Sequence, residues 1–223
     1  MNERLWDESA PDSARRIVLA ALEAFAERGY HGTTTRDIAR RANLSPAGIY
    51  MHYRSKEELL ELIMRAAHQE VLSMMREAFQ AHPDPVERMR ALVDALVRFH
   101  ATWYTAARVA NHELPALSEP ARARILKLRR EVEDLVEEAI EEGLRAGVFS
   151  VRDRRVTTFA ILSMGIGVSR WFRPDGRLSP EELGSMYGEL VVRMLSSGPA
   201  AAPGWDSRRG KARAEAAGAP AGS

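Results

Sequence analysis

Glycine and proline divide the chain into segments whose apolar residues recur at helical spacing. In residues 12–28, Ile17, Ala20, Ala21, Ala24 and Phe25 fall at i, i+3, i+4, i+7 and i+8, which makes one apolar face. Gly29 stops this first helix. Two short helices follow. Thr34 with Asp37 forms a capping-box pattern that opens one, reaching Arg41. Asn43 and Leu44 make a tight turn, and Ser45 then caps a second helix with Pro46 at its first position, ending near His52. Ser55 and Glu58 repeat the capping spacing ahead of a long helix to about Phe79. The run His82-Pro83-Asp84-Pro85 breaks the chain. Beyond it the pattern predicts helices from Val86 towards Tyr104, over 106–113, over 119–146, over 153–172 and over 180–196. No segment alternates strictly, so no strand is predicted. The expected fold is all-α, with about nine helices.

Composition changes this picture little. At 223 residues and 45% hydrophobic, the chain has the material for a sizeable core in one or two domains. It has no Cys, which excludes disulfides, Cys-ligated metals and thiol chemistry. The N-terminus lacks a secretory pattern and no apolar run is long enough to span a membrane, so a soluble, cytoplasmic protein is expected. From Ser197 onward the sequence is mostly Ala, Gly, Pro and Ser, and residues 197–223 are expected to be a disordered tail. Its basic residues Arg208, Arg209, Lys211 and Arg213 either add nonspecific DNA affinity or do nothing.

Charge distribution says more than the net charge of +1. Residues 28–56 hold Arg28, Arg36, Arg40, Arg41, Arg54 and Lys56 against the single acid Asp37, whereas residues 131–142 hold acids and no base. The basic stretch coincides with the two short helices. With Ile38, Ala39, Leu44 and Ile49 facing inward, these form a helix-turn-helix, whose second helix begins with Ser45, Ala47 and Gly48. Small groups there allow the helix to enter a major groove and meet base edges. Tyr50, His52 and Lys56 at its far end suit phosphate, as do Thr34 and Arg36 at the start of the preceding helix. Arg40 and Arg41 read equally as phosphate contacts or surface charges, and Tyr53 reads as a core aromatic.

The run from Phe25 to Tyr30, Thr34 to Ala39, Ser45 to Tyr50, then His52-Tyr53, Ser55-Lys56 and Glu58-Leu59-Leu60 resembles the DNA-binding region of the TetR family of bacterial transcriptional regulators. The resemblance adds Thr35, Pro46 and Met51 to the expected DNA contacts, although Met51 stands where many relatives carry a larger aromatic or a polar group. It implies an N-terminal DNA-binding domain over 1–54 and a C-terminal ligand-binding and dimerisation domain over 55–196. It also implies a homodimer on a palindromic operator in double-stranded DNA. The last two helices would pair with those of a second subunit through Phe159, Leu162, Gly165, Ile166, Leu183, Met186, Tyr187, Leu190, Val191 and Met194, with Gly165 and Gly167 allowing close approach.

Two further stretches are similar to TetR-type repressors of fatty-acid and steroid degradation that respond to acyl-CoA thioesters. One surrounds Trp171, Pro174, Gly176 and residues 178–181; the other covers 124–133 with Leu128, Arg129 and Arg130. The implied effector needs an apolar tunnel and cations for its phosphates. Phe99, Trp103, Tyr104, Met164, Val168 and Trp171 are the expected lining, with Arg129, Arg130, Arg170 or Arg173 as cations. A drug-like cation held by Glu113 beside Trp103 and Tyr104 stays open as another effector, and Asn111 and His112 as polar lining. A different class, an all-α acyl-CoA-binding protein or enzyme without DNA binding, is opposed by the helix-turn-helix. No histidine spacing suits a metal, no cofactor motif appears, and neither a phosphate loop nor a nucleophile elbow is present.

Overall fold

The structure is a computed structural model in which residues 11–196 are described, so the expected tail over 197–223 lies outside the described residues. These residues form nine α-helices and no strand: α1 Asp12–Arg28, α2 Thr35–Arg41, α3 Pro46–Tyr50, α4 Lys56–Ala81, α5 Pro85–Thr102, α6 Tyr104–His112, α7 Glu119–Arg145, α8 Arg154–Trp171 and α9 Pro180–Ser196.

The helix starts follow from capping chemistry. Thr34 Oγ1 accepts from the Asp37 N–H at 3.1 Å, while Asp37 Oδ2 accepts from the Thr34 N–H at 3.0 Å. Ser45, Ser55, Asp84 and Asp153 each accept from backbone N–H groups in the first turn that follows them. Ser179 and Glu182 reciprocate at α9, at 2.8 and 3.1 Å. Each cap satisfies donors that the helix cannot satisfy itself. Between α2 and α3, Asn43 takes a left-handed φ of 55°, which asparagine tolerates better than most residues.

Two boundaries differ from the sequence pattern. The helix after Pro85 ends at Thr102, because Trp103 (φ −109°, ψ 40°) bends the chain and starts α6 two residues early. The pattern misses this bend because no glycine or proline marks it. After α6, residues Leu114–Ala116 form a 3₁₀ turn.

α5 is the central helix. Met89, Leu92, Leu96, Val97 and Phe99 are buried along it, and it packs against α4, α7, α8 and α9. Its contact with α9 is close: a Cβ at Gly188 would stand 2.8 Å from the Arg90 carbonyl oxygen, and one at Gly184 would stand 2.4 Å from Asp94 Oδ1. The head of α1–α3 sits on the α4 N-terminus around Phe25, Ile38, Ile49, Leu59 and Leu60. α1 also packs on α6. Glu57 accepts from the Ser118 N–H at 2.8 Å, and Arg124 grips Glu61 through two bonds at 2.6 and 2.9 Å, so the start of α4 is tied to the start of α7.

Candidate DNA interface and effector cavity

Thr34, Arg36, Ser45, Pro46, Ala47, Tyr50, Met51 and His52 lie exposed, with Thr35 and Gly48 half-buried beside them. Ile38, Ala39 and Ile49 beneath are buried, so the two short helices are held from one side and present the other. Met51 is 85% exposed, next to Tyr50 at 55%. His52 Nε2 lies 2.9 Å from Ser13 Oγ, which orients the ring against α1. Tyr53 is half-buried and donates to the Ala14 carbonyl at 3.3 Å, in keeping with a structural aromatic.

The basic surplus of this region is smaller than the sequence suggests. Arg40 binds Asp37 at 2.7 Å, and Arg28 approaches the same carboxylate at 3.8 Å. Arg41 is held by Glu23 and Glu27 of α1, at 3.0 and 2.5 Å. The two Thr34 hydrogen bonds and Arg40 hold the Asp37 carboxyl down at about 2. Lys56, an expected phosphate contact, is also engaged within the fold. Its Nζ donates to the Tyr30 and Thr33 carbonyls, both at 2.7 Å, and lies 4.0 Å from the Tyr30 ring centre. With two of its three donors on these carbonyls, the ammonium ties the α1–α2 loop to α4. Arg36 is exposed and has no ion pair among the described residues.

A cavity of about 190 Å³ lies among α4, α5, α6, α7 and α8. Of the residues expected to bind a ligand, Phe99 and Arg129 line it. The other expected residues lie elsewhere. Trp103 packs on Phe99 with ring centres 5.3 Å apart, and Tyr104 tilts on Phe172 at 6.2 Å. Val168 is buried in the core, Met164 is half-buried, and Arg130, Arg170 and Trp171 are exposed. Of the polar group Asn111-His112-Glu113, only Asn111 lines the cavity. Glu113 instead stands near Gly29, so the carboxylate expected near an aromatic pair is supplied at the cavity by Glu133.

Sequence reasoning missed His68 and His100. His68 and His100 are both buried, and desolvation pushes each imidazole down to about 4. Both are therefore neutral at ordinary pH. His68 Nδ1–H donates to the Met64 carbonyl at 2.7 Å, leaving Nε2 to accept from Arg129 Nε at 3.1 Å. His100 Nδ1–H donates to the Leu96 carbonyl at 2.8 Å. The signal was present: His68 follows Leu60 and Met64, and His100 follows Leu92 and Leu96, each at the next four-residue step of an apolar ridge.

The expected dimer residues differ in their surroundings. Leu162, Gly165, Leu183 and Val191 are buried within the protomer, and a Cβ at Gly165 would meet Leu96 Cδ2 at 2.5 Å. Phe159, Leu162 and Ile166 line the cavity. Phe159, Met186, Leu190 and Met194 lie exposed. The last three follow four-residue spacing on α9, which makes a continuous apolar ridge. Tyr187 is half-buried, and Gly167 meets nothing within 4 Å. Among the described residues no group of acids and histidines is arranged to hold a metal, and no helix is long and apolar enough to cross a membrane.

Residues 17–63 match the family described as bacterial regulatory proteins, tetR family, and residues 82–195 match that described as tetracyclin repressor-like, C-terminal domain. The chain is 28% identical over 195 residues to the HTH-type transcriptional repressor KstR2 of Rhodococcus jostii strain RHA1, covering 86% of this chain and 96% of that protein. A solved tetR-family regulatory protein from Rhodococcus RHA1 is 37% identical, with a TM-score of 0.78, covering 84% of this chain and 98% of that one. AibR, solved in complex with isovaleryl coenzyme A and operator DNA, is 29% identical with a TM-score of 0.73, covering 84% of this chain and all (100%) of that one.

Proposed function

Since the chain belongs to the TetR family, whose members bind operator DNA, dimerise and answer to small-molecule effectors, we propose that it is a repressor released from a palindromic operator by an acyl-CoA thioester. The observation that carries the DNA half of this reading is the capped, exposed α3. Ser45, Ala47 and Gly48 stand at its leading end without bulk, and Tyr50 and Met51 stand exposed beyond them. Thr34, Thr35, Arg36, Pro46 and His52 flank it and meet the adjoining backbone. Two such heads on a two-fold dimer match two half-sites one helical turn apart. The exposed α9 ridge of Met186, Leu190 and Met194, together with Phe159 of α8, is the face through which the protomers pair.

The effector half rests on the cavity and on the acyl-CoA bound to AibR. The 26-residue α4 carries His68 in the cavity wall near its middle and the head at its N-terminal end, so a shift at the wall tilts the head. A coupling of about 1–3 kcal/mol suffices to change occupancy of an operator markedly.

Fluorescence anisotropy on labelled DNA from upstream of the protein's own gene tests both halves. Binding is expected to weaken steeply with salt and to be lost in Gly48→Trp, whose side chain fills the space α3 needs in the groove. Release by acyl-CoA thioesters but not by free CoA is expected. Operator affinity unmoved by every thioester would remove the effector assignment and leave the DNA assignment standing.

A further inference from the structure

The geometry points to a narrow class of effector: we propose that the cavity takes a short acyl group, roughly six to eight heavy atoms by comparison with a cavity of about 150 Å³ that holds benzene, whose carbonyl oxygen accepts from Arg129. This rests on the cavity being the effector site.

Size is the first support. A volume of about 190 Å³ is only a quarter or so larger than a cavity that takes benzene, which fits a short acyl group better than a sterol nucleus or a long acyl chain. The walls that set it are close-packed. Ala67 and Ala110 on opposite helices, with Leu96 and Phe99 of α5, are buried in the same core. Enlarging the space means displacing core side chains, which protein interiors resist.

Charge is the second support. Arg129 Nε donates to His68 Nε2 and Nη2 donates to the Ala110 carbonyl at 2.9 Å, but Nη1 has no partner among the described residues. Among the described residues no carboxylate lies within ion-pair distance of Arg129. Glu133, one turn further along α7, is half-exposed at the rim and only attracts Arg129 from there. His68 and His100 in the cavity wall are neutral, so neither repels the guanidinium. A half-buried guanidinium with a spare donor gains most from an oxygen acceptor delivered by a ligand. The rim supports an acyl group whose remainder stays outside. Ser163 of α8 is exposed on the cavity lining, and Asn111 of α6 and Glu133 of α7 are half-exposed there. A bulky thioester headgroup therefore projects between α7 and α8 while the acyl part is enclosed.

The same contacts make Arg129 a link between helices. From α7 it holds α4 through His68 and α6 through Ala110, and α6 packs on α1 of the DNA-binding head. A carbonyl that recruits the guanidinium acts on both links at once.

Calorimetric titration of the full chain with butyryl-, isovaleryl-, octanoyl- and palmitoyl-CoA, and with the matching free acids, tests the proposal. The two short thioesters are expected to bind at least tenfold more tightly than palmitoyl-CoA. Arg129→Gln is expected to weaken them at least tenfold, while Val71→Ala, which removes two methyl groups from the wall, shifts the preference towards octanoyl-CoA. Free acids binding as tightly as their thioesters would assign the source of the carbonyl to the acid; the reverse order would assign it to the thioester. Palmitoyl-CoA binding as tightly as isovaleryl-CoA would overturn the size limit, and unchanged binding in Arg129→Gln would overturn the anchor. Ala110→Leu separates these failures from failure of the site itself. With operator binding intact as evidence of folding, it must abolish short-acyl binding if the cavity is the site; undiminished binding would place the effector elsewhere. Ser163→Trp at the rim checks the same point without touching the core.

Discussion

Lys56 illustrates how one side chain changes meaning between sequence and structure. As an isolated cation near a helix start it reads as a phosphate contact. In the folded chain it closes the α1–α2 loop by donating to two carbonyls, and burial lowers its pKa. Lys56→Met is therefore expected to lower unfolding free energy by about 1–2 kcal/mol in a urea titration. The dependence of operator affinity on salt is expected to keep its slope, whereas loss of a phosphate contact would reduce that slope by about one. The buried histidines give a second expectation. Both have folded pKa values near 4, below the unfolded value of 6.5. Between those values the unfolded chain binds more protons, so stability falls as pH drops from about 6.5 to about 4. The loss approaches about 3 kcal/mol for each histidine. Melting curves across this range should show it, and His100→Gln should flatten the profile. Asp37, with its pKa depressed, adds a further loss only below about pH 4, as its carboxylate protonates.

The helices are held to their places by close approach as much as by apolar area. α9 lies on α5 where Gly184 and Gly188 leave no room for a side chain. At Gly188 the obstructing atom is a backbone oxygen, which cannot rotate away. Gly188→Ala is expected to cost about 1–3 kcal/mol in spite of alanine's better helix propensity, as measured by thermal unfolding. Gly167→Ala, which faces open space, is expected to be neutral or mildly stabilising and serves as the control. The contrast lies in packing, since both residues sit in the interior of a helix.

In the whole molecule, an unpaired apolar ridge on α9 stands apart from a well-filled core. Leu190 is 53% exposed between Met186 and Met194. Leu190→Glu is expected to leave the helical circular dichroism signal in place and to halve the mass measured by light scattering. Operator affinity is expected to fall by more than tenfold, because two heads no longer bind as one unit. Retention of the dimer would move the pairing surface off α9. The ties from Glu57 to Ser118 and from Glu61 to Arg124 run between the head's supporting helix and α7. They make the head and the cavity wall parts of one connected frame, which is the condition for a ligand to influence DNA.

Helix number, nearly all helix starts and the helix-turn-helix were determined by the sequence itself. Each rests on local chemistry: a capping hydroxyl, an apolar residue every three or four positions, an asparagine at a left-handed turn. The exposed side of α3 was legible for the same reason, because α3 is short and that side follows directly from which residues are buried. Only the tertiary structure decided which cations are free, since Arg41 finds its acids on α1 and Lys56 its carbonyls in a loop more than twenty residues away. It alone decided the cavity as well. Phe159, Leu162 and Ile166 belong to one face of α8, and whether that face meets a partner, a core or a ligand depends on how α7 and α5 pass beside it. The period of a helix shows which residues share a face, while the arrangement of the neighbouring helices determines what that face touches.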